Sequence, residues 1–312
     1  VSVSEQSGQY AVSLREGSVA MDHDFELVWR PVPSAAPRAM SFVETMHDKP
    51  YYLLMVMPPD AQNVPAAVMP RETIFVIDTS GSMHGVSIEQ AKQAVQLALK
   101  GLKTTDRFNI IEFNSVTKAL FNSSQPASAV SLQQASTFVE KLYANGGTEM
   151  RPALSLALDS PSTETHLRQV VFITDGSVGY EDELFSMIEK RLAGARLFTV
   201  GIGSAPNSWF MRKAAEAGRG TYTYVSALHE VGEKMDALFK KLQQPQVTDI
   251  DVQWPSGVLV DSFPATVPDL YLGEPVTVKV EASGEFRPDD RIRISGNSVA
   301  GGWTADLPVS AA

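Results

Sequence analysis

The feature that most narrows the fold is an alternation of strand and helix signals through residues 70–244. "ETIFVID" (72–78) is a short apolar, β-branched run, the mark of a strand buried on both faces. Ser87, with Gln90 three residues on, predicts a helix opened by a capping box. Ile88, Ala91, Val95, Ala98, Leu99 and Leu102 then recur at helical spacing. The pattern repeats. "RFNIIEF" (107–113), "RQVVFIT" (168–174), "ARLFTVGIG" (195–203) and "GTYTYV" (220–225) read as strands. Helices are expected from Ser131, where Gln134 repeats the capping signature, over "RPALSLAL" (151–158), over 181–193, from Asn207 to a closing Gly218, and over 230–242. This order predicts an α/β fold, a doubly wound and mostly parallel sheet with helices on both faces.

The two ends of the chain have a different texture. "YAVSL", "FELVWRPV" (25–32), "MSFVE" and "YYLLMVM" before residue 70, and "TDIDVQW", "VTVKVEA" and "RIRIS" after 244, alternate with period two between Pro, Gly and Asp. That is antiparallel β structure. Neither end is long enough for a comfortable core of its own. We therefore expect residues 1–69 and 245–312 to build one all-β sandwich, with the α/β domain of 70–244 inserted between them.

Strand order in such a sheet places ligands beyond the carboxyl ends of its strands. "IFVIDTSGSM" delivers Asp78, Ser80 and Ser82 there after the first strand. "NGGTEM" (145–150) brings Thr148 on a Gly-rich loop, and "TDG" (174–176) brings Asp175 after a later strand. Two carboxylates and three hydroxyls make an all-oxygen set, which suits a hard cation. Two carboxylates are few for the six to eight ligands of Ca, whereas Mg keeps several waters and one or two carboxylates. Mg is the expected ion, with Mn or Ca as alternatives. Neutral hydroxyls leave much of the ion's charge uncompensated, so an open coordination position would attract a carboxylate from outside.

These residues, "DTSGS", Thr148 in its Gly-Gly-Thr loop and Asp175 in "ITDG", resemble the metal-ion-dependent adhesion site of von Willebrand factor type A domains. "MDHDFELVWRP", "PRETIFVIDTSGSMHG" and "LFTVGIGSAPNSWFMRKAAEAGRGTY" resemble the inter-alpha-trypsin inhibitor heavy-chain type, and especially bacterial sortase-target surface proteins. The resemblance implies that Ser80, Ser82 and Thr148 ligate the metal, with Asp78 and Asp175 binding directly or through water. It also implies an extracellular, bacterial cell-surface location. The chain opens at Val1 without a charged-then-apolar leader, and so reads as a portion of something longer.

The expected function is therefore adhesion, not catalysis: a protein or other surface ligand presents a carboxylate to the metal. A net charge of −10 argues against nucleic acid, and no apolar run has the length of a membrane span. The absence of cysteine removes thiolate chemistry and disulfides. A Mg-dependent phosphatase or phosphotransferase is the main alternative, but it needs a second carboxylate at position 80, where Ser stands, and a Lys in the rim loops. A structural stalk with a stabilising metal is another. No base accompanies Ser80 or Ser82 for nucleophilic catalysis. "VGIG" (200–203) lacks the third Gly of a dinucleotide loop and reads as close packing. His84 reads as a surface side chain. Trp209, Phe210 and Met211 read as core or rim packing, with Trp209 on a partner-binding surface as the lesser reading.

Overall fold

A computed structural model describes residues 1–6, 9–15, 18, 34–47, 49–59, 70–159, 166–176, 180–243, 245–284, 286–287, 289–298 and 301–309. The strand expected over 25–32 lies outside the described residues, as do residues 177–179 of the loop after Asp175. Residues 1–33 form a compact unit of their own. Within it, β1 (Ser2–Gln6) and β2 (Gln9–Ser13) pair as an antiparallel hairpin.

The α/β part begins with β5 (Arg71–Asp78), after two sandwich strands, β3 (Arg38–Met46) and β4 (Lys49–Met57). It continues with α1 (Val86–Lys100), β6 (Arg107–Phe113), the short strands β7 (Thr117–Ala119) and β8 (Gln125–Pro126), α2 (Ala129–Glu140) and α3 (Met150–Asp159). Then follow β9 (Leu167–Thr174), α4 (Glu181–Arg191), β10 (Arg196–Ile202), α5 (Ser208–Ala217), β11 (Tyr222–Val225) and α6 (Val231–Leu242). The sheet order is β11-β10-β9-β5-β6-β7, parallel except at β7, with β8 also antiparallel on β6. The doubly wound expectation holds. Every residue of β5 and of β10 is buried, because helices cover both faces. Phe75, Ile77, Val171 and Val200 pack under α1, α2 and α6, whereas Ile74, Val76, Val170 and Phe172 pack under α3, α4 and α5.

Two helix starts differ from expectation. α1 opens at Val86, one residue ahead of Ser87, because a 3-10 turn at Gly81–Met83 and a left-handed Gly85 (φ 86°) feed the chain into the helix early. Ser87 then falls inside the first turn, and no side chain caps the helix. α2 is capped by Ser128; Ser131 is the reciprocal partner, its Oγ accepting from the Ser128 N–H at 3.0 Å. Asn207 and Gly218 do cap α5. The tight-packing reading of "VGIG" also holds: a Cβ on Gly201 would lie 2.7 Å from the Tyr222 hydroxyl oxygen.

The sandwich takes β3 and β4 from before the α/β part. From after it come β12 (Pro245–Gln253), β13 (Leu259–Phe263), β14 (Leu270–Tyr271), β15 (Val276–Ser283), β16 (Arg291–Ser298) and β17 (Gly301–Pro308). Its antiparallel sheets run β14-β12-β16-β17 and β13-β15-β4-β3. Tyr52, Leu54, Val56, Val278 and Val280 of one face Val247, Ile250, Ile292 and Ile294 of the other. Strands from before and after the α/β part thus share one apolar core, as the alternating flanks predict, whereas residues 1–33, expected in the same sandwich, form a unit of their own.

An arginine stands first or second in each of the four long parallel strands: Arg71, Arg107, Arg168 and Arg196. Three of them enter buried ion pairs, Arg71 with Asp106 (2.6 Å), Arg168 with Glu72 (2.9 Å) and Arg196 with Asp269 (2.5 Å). The last joins β10 to the sandwich; Arg196 also reaches Asp249 of β12 at 2.9 Å. The end of α6 returns to the same pole, where Gln169 Nε2 donates to the Leu242 carbonyl (2.9 Å). The sandwich therefore meets the amino ends of the strands, and their carboxyl ends are left to the loops that carry Asp78 and Asp175.

Candidate metal centre

Strand order reverses at β5 and β9, the position where open α/β sheets bind ligands. Asp78 is the last residue of β5 and is fully buried. Its Oδ1 accepts from the Ser80 N–H at 2.8 Å, and its Oδ2 from Thr174 Oγ1 at 2.5 Å across the seam. The Thr174 hydroxyl in turn accepts from the Gly176 N–H at 2.9 Å, so one side chain positions Asp78 and the turn that carries Asp175.

Ser80 Oγ and Ser82 Oγ lie 3.0 Å apart, with Ser80 buried and Ser82 exposed. Thr79 points the other way: its hydroxyl donates to the Phe113 carbonyl (3.2 Å) and accepts from Asn114 Nδ2 (3.2 Å). The Gly-Gly-Thr loop is strapped to the first loop by Gly81 N–H to the Gly146 carbonyl (3.0 Å) and Asn145 N–H to the Thr79 carbonyl (2.7 Å). Gly146 has φ 80°, and a Cβ there would lie 2.9 Å from Ser115 Oγ, which accepts from the Gly147 N–H. Thr148 follows, half-buried, its carbonyl accepting from the Tyr180 hydroxyl (3.3 Å). Asp175, also half-buried, gives its carbonyl to the Asn207 N–H at 2.9 Å. The structure thus brings the loops bearing Asp78, Ser80, Ser82, Thr148 and Asp175 to one rim. His84 is exposed beside them.

Burial pushes the Asp78 carboxyl above its ordinary value; the bonds from Thr174 and Ser80 pull it back, and the charge of Asp175 adds to the rise. The charge acting on this buried carboxylate is thus of its own sign, and a cation beside Asp78 would offset that rise. Among the described residues no group of three or more His, Asp or Glu side chains could hold a metal. A cation here would rely on hydroxyls beside the two carboxylates, and the donors present fit a hard divalent ion.

Sequence reasoning missed Thr174, Asn114 and Ser115, which position these loops. The signal was present: each is a polar residue at or just past the carboxyl end of a buried strand, where an apolar run breaks.

The family model described as von Willebrand factor type A domain matches residues 71–224. These residues form a von Willebrand factor type A domain. A von Willebrand factor A domain-containing protein of Dictyostelium discoideum is 32% identical over 243 residues, covering 77% of this chain and 26% of that protein. Inter-alpha-trypsin inhibitor heavy chain H2 of Sus scrofa is 22% identical over 241 residues, 73% of this chain and 25% of that one. The expected likeness to the heavy-chain type therefore holds, and the chain spans about a quarter of the length of these two curated relatives. Among solved structures, von Willebrand factor type A from Catenulispora acidiphila superposes with a TM-score of 0.69 at 17% identity, over 91% of this chain and 75% of that one. This likeness shows the shared fold, sandwich strands included. No helix among the described residues is long and apolar enough to cross a membrane.

Proposed function

We propose that the von Willebrand A domain holds one divalent cation, Mg with Mn or Ca as alternatives, at Ser80, Ser82, Thr148, Asp78 and Asp175, and through it binds a carboxylate of a protein or other surface ligand. The observation that carries this reading is the buried Asp78 carboxylate, hydrogen-bonded by Ser80 and Thr174 at the rim that also carries Asp175, whose charge opposes its own. Such an arrangement is costly alone and favourable with a cation beside it. The metal would supply Lewis acidity toward an incoming carboxylate. The chain's own residues do the rest: Thr174 orients Asp78, the Gly146 strap presents Thr148, and Asn207 fixes the turn of Asp175. We read the module as non-catalytic, because the position two residues after Asp78 carries a hydroxyl where a phosphotransfer acid would stand. Its resemblance to sortase-target proteins supports placement on a bacterial cell surface.

The experiment is calorimetric titration of Mg into the wild-type chain and into Asp78→Ala, with melting curves of both. Wild type is expected to bind Mg, and the variant to lose binding while melting cooperatively. Equal Mg affinity in the two would overturn the reading.

A further inference from the structure

We propose that Trp209 is the apolar anchor of this rim, and that the partner is a protein segment in which a single Asp or Glu is flanked by a large apolar side chain. The proposal rests on the carboxylate-binding reading of the metal centre. Trp209 is 57% exposed on the first turn of α5, whereas Phe210 and Met211 beside it are buried. Its ring is nonetheless braced. Phe185 meets it edge-on with centroids 5.7 Å apart, and Phe185 itself stacks on Phe210 at 5.6 Å. The turn is fixed by Asn207, whose side chain accepts from the Phe210 N–H (3.1 Å) and whose N–H holds the Asp175 carbonyl (2.9 Å). One residue thus positions both an expected metal ligand and the indole two places on. A braced, exposed indole gives up little conformational freedom on contact, the property of an interface anchor.

The surrounding side chains specify what would sit there. Val86, Val116, Tyr143 and Leu228 are also exposed, and all lie on loops or first helical turns at the carboxyl end of the sheet. Glu149 is exposed on the Gly-Gly-Thr loop and Asp182 on the first turn of α4, and Arg151 is paired with Glu183 at 2.8 Å. An acidic tract or a sulfated glycan would meet repulsion from Glu149 and Asp182 beside the cation. A lone carboxylate in apolar surroundings meets the cation and the indole without that cost.

The test is a synthetic peptide array in which one Asp is flanked by Leu or Phe, by Ser, or by Glu, probed with the whole chain in Mg and in EDTA. Calorimetric Mg titration of the free protein runs alongside. Leu- and Phe-flanked peptides are expected to be held in Mg and released by EDTA, with Ser- and Glu-flanked ones at least about tenfold weaker. Trp209→Ala is expected to weaken the apolar-flanked peptides about tenfold or more, with Mg affinity unchanged and a cooperative melt only slightly lowered by the lost Phe185 contact, and Trp209→Phe to restore most of the binding. Equal retention of Ser- or Glu-flanked peptides, no retention of any peptide, or full binding by Trp209→Ala overturns the anchor. If Mg still binds in those cases, the metal centre stands without it. Failure of the free wild-type chain to bind Mg removes both.

Discussion

Thr174 Oγ1 donates a 2.5 Å hydrogen bond to Asp78 Oδ2 across the β5–β9 seam, joining two buried residues 96 apart in sequence. The same oxygen accepts from the Gly176 N–H. Thr174→Val keeps the shape and removes both roles, leaving a buried carboxylate and a buried N–H each short of a partner. We expect a loss of about 1–3 kcal/mol in urea unfolding together with weaker Mg binding. Thr174→Ser should recover most of both. A variant with unchanged Mg affinity would show that the seam bond is structural only.

Asp78→Asn removes a buried charge whose close charged neighbour is another acid. In EDTA the melting temperature should therefore stay level or rise slightly. Wild type in excess Mg should gain about 2.7 kcal/mol at a hundredfold over Kd, roughly 5–10 °C, and the variant should gain nothing. Differential scanning calorimetry with and without Mg reads both effects.

Arg196→Met strands Asp269, which is fully buried and otherwise held by its bond to the Asp249 N–H (3.1 Å). Removing one member of a buried pair costs about 3–5 kcal/mol, and Arg196→Met with Asp269→Asn should recover part of that. Burial pushes the Asp269 carboxyl up, and Arg196 pulls it down. In Arg196→Met the folded-state value therefore rises further above the unfolded one. An acid shifted that way destabilises above its folded pKa and is relieved as pH falls through it. The variant's deficit should shrink on acidification. A deficit independent of pH, measured by urea unfolding, would contradict the assignment.

Gly146→Ala combines a left-handed φ of 80° with a Cβ placed 2.9 Å from Ser115 Oγ. The conformation alone costs about 1–2 kcal/mol, and the clash presses on the acceptor that holds the Gly147 N–H. Because this loop carries Thr148, Mg affinity should fall while the sandwich melts unchanged. Isothermal titration beside a thermal melt distinguishes this local effect from global unfolding.

The central sheet was legible because its strands are buried on both faces: "RFNIIEF" reads as a strand from end to end and is β6. Asp78, Ser80, Ser82 and Asp175 were placed at the rim for the related reason that a polar residue at the end of such a run marks a strand's carboxyl end, whereas Thr148, between α2 and α3, stood out only by its Gly-Gly loop. β13 and β17 went unread. β13 is an edge strand with Leu259, Val260 and Phe263 exposed, so it lacks an inside-outside alternation. β17 begins with two glycines and ends in proline. The start of α1 was misread because it depends on the left-handed Gly85, which has no side-chain capping signature. The Thr174–Asp78 bond depends on register between strands far apart in the chain, which local periodicity does not encode.

Tyr271 belongs to β14, well past the end of α6, yet its ring meets Phe198 edge-on at 6.0 Å within the apolar layer beneath α1 and α6. The boundary drawn along the polypeptide and the boundary of tight packing are therefore different lines. A truncated protein that stops after α6 would expose Phe198 and empty an aromatic-sized volume. An expression clone meant to isolate the metal-bearing half should either keep β14 or fill that hole with a substitute side chain.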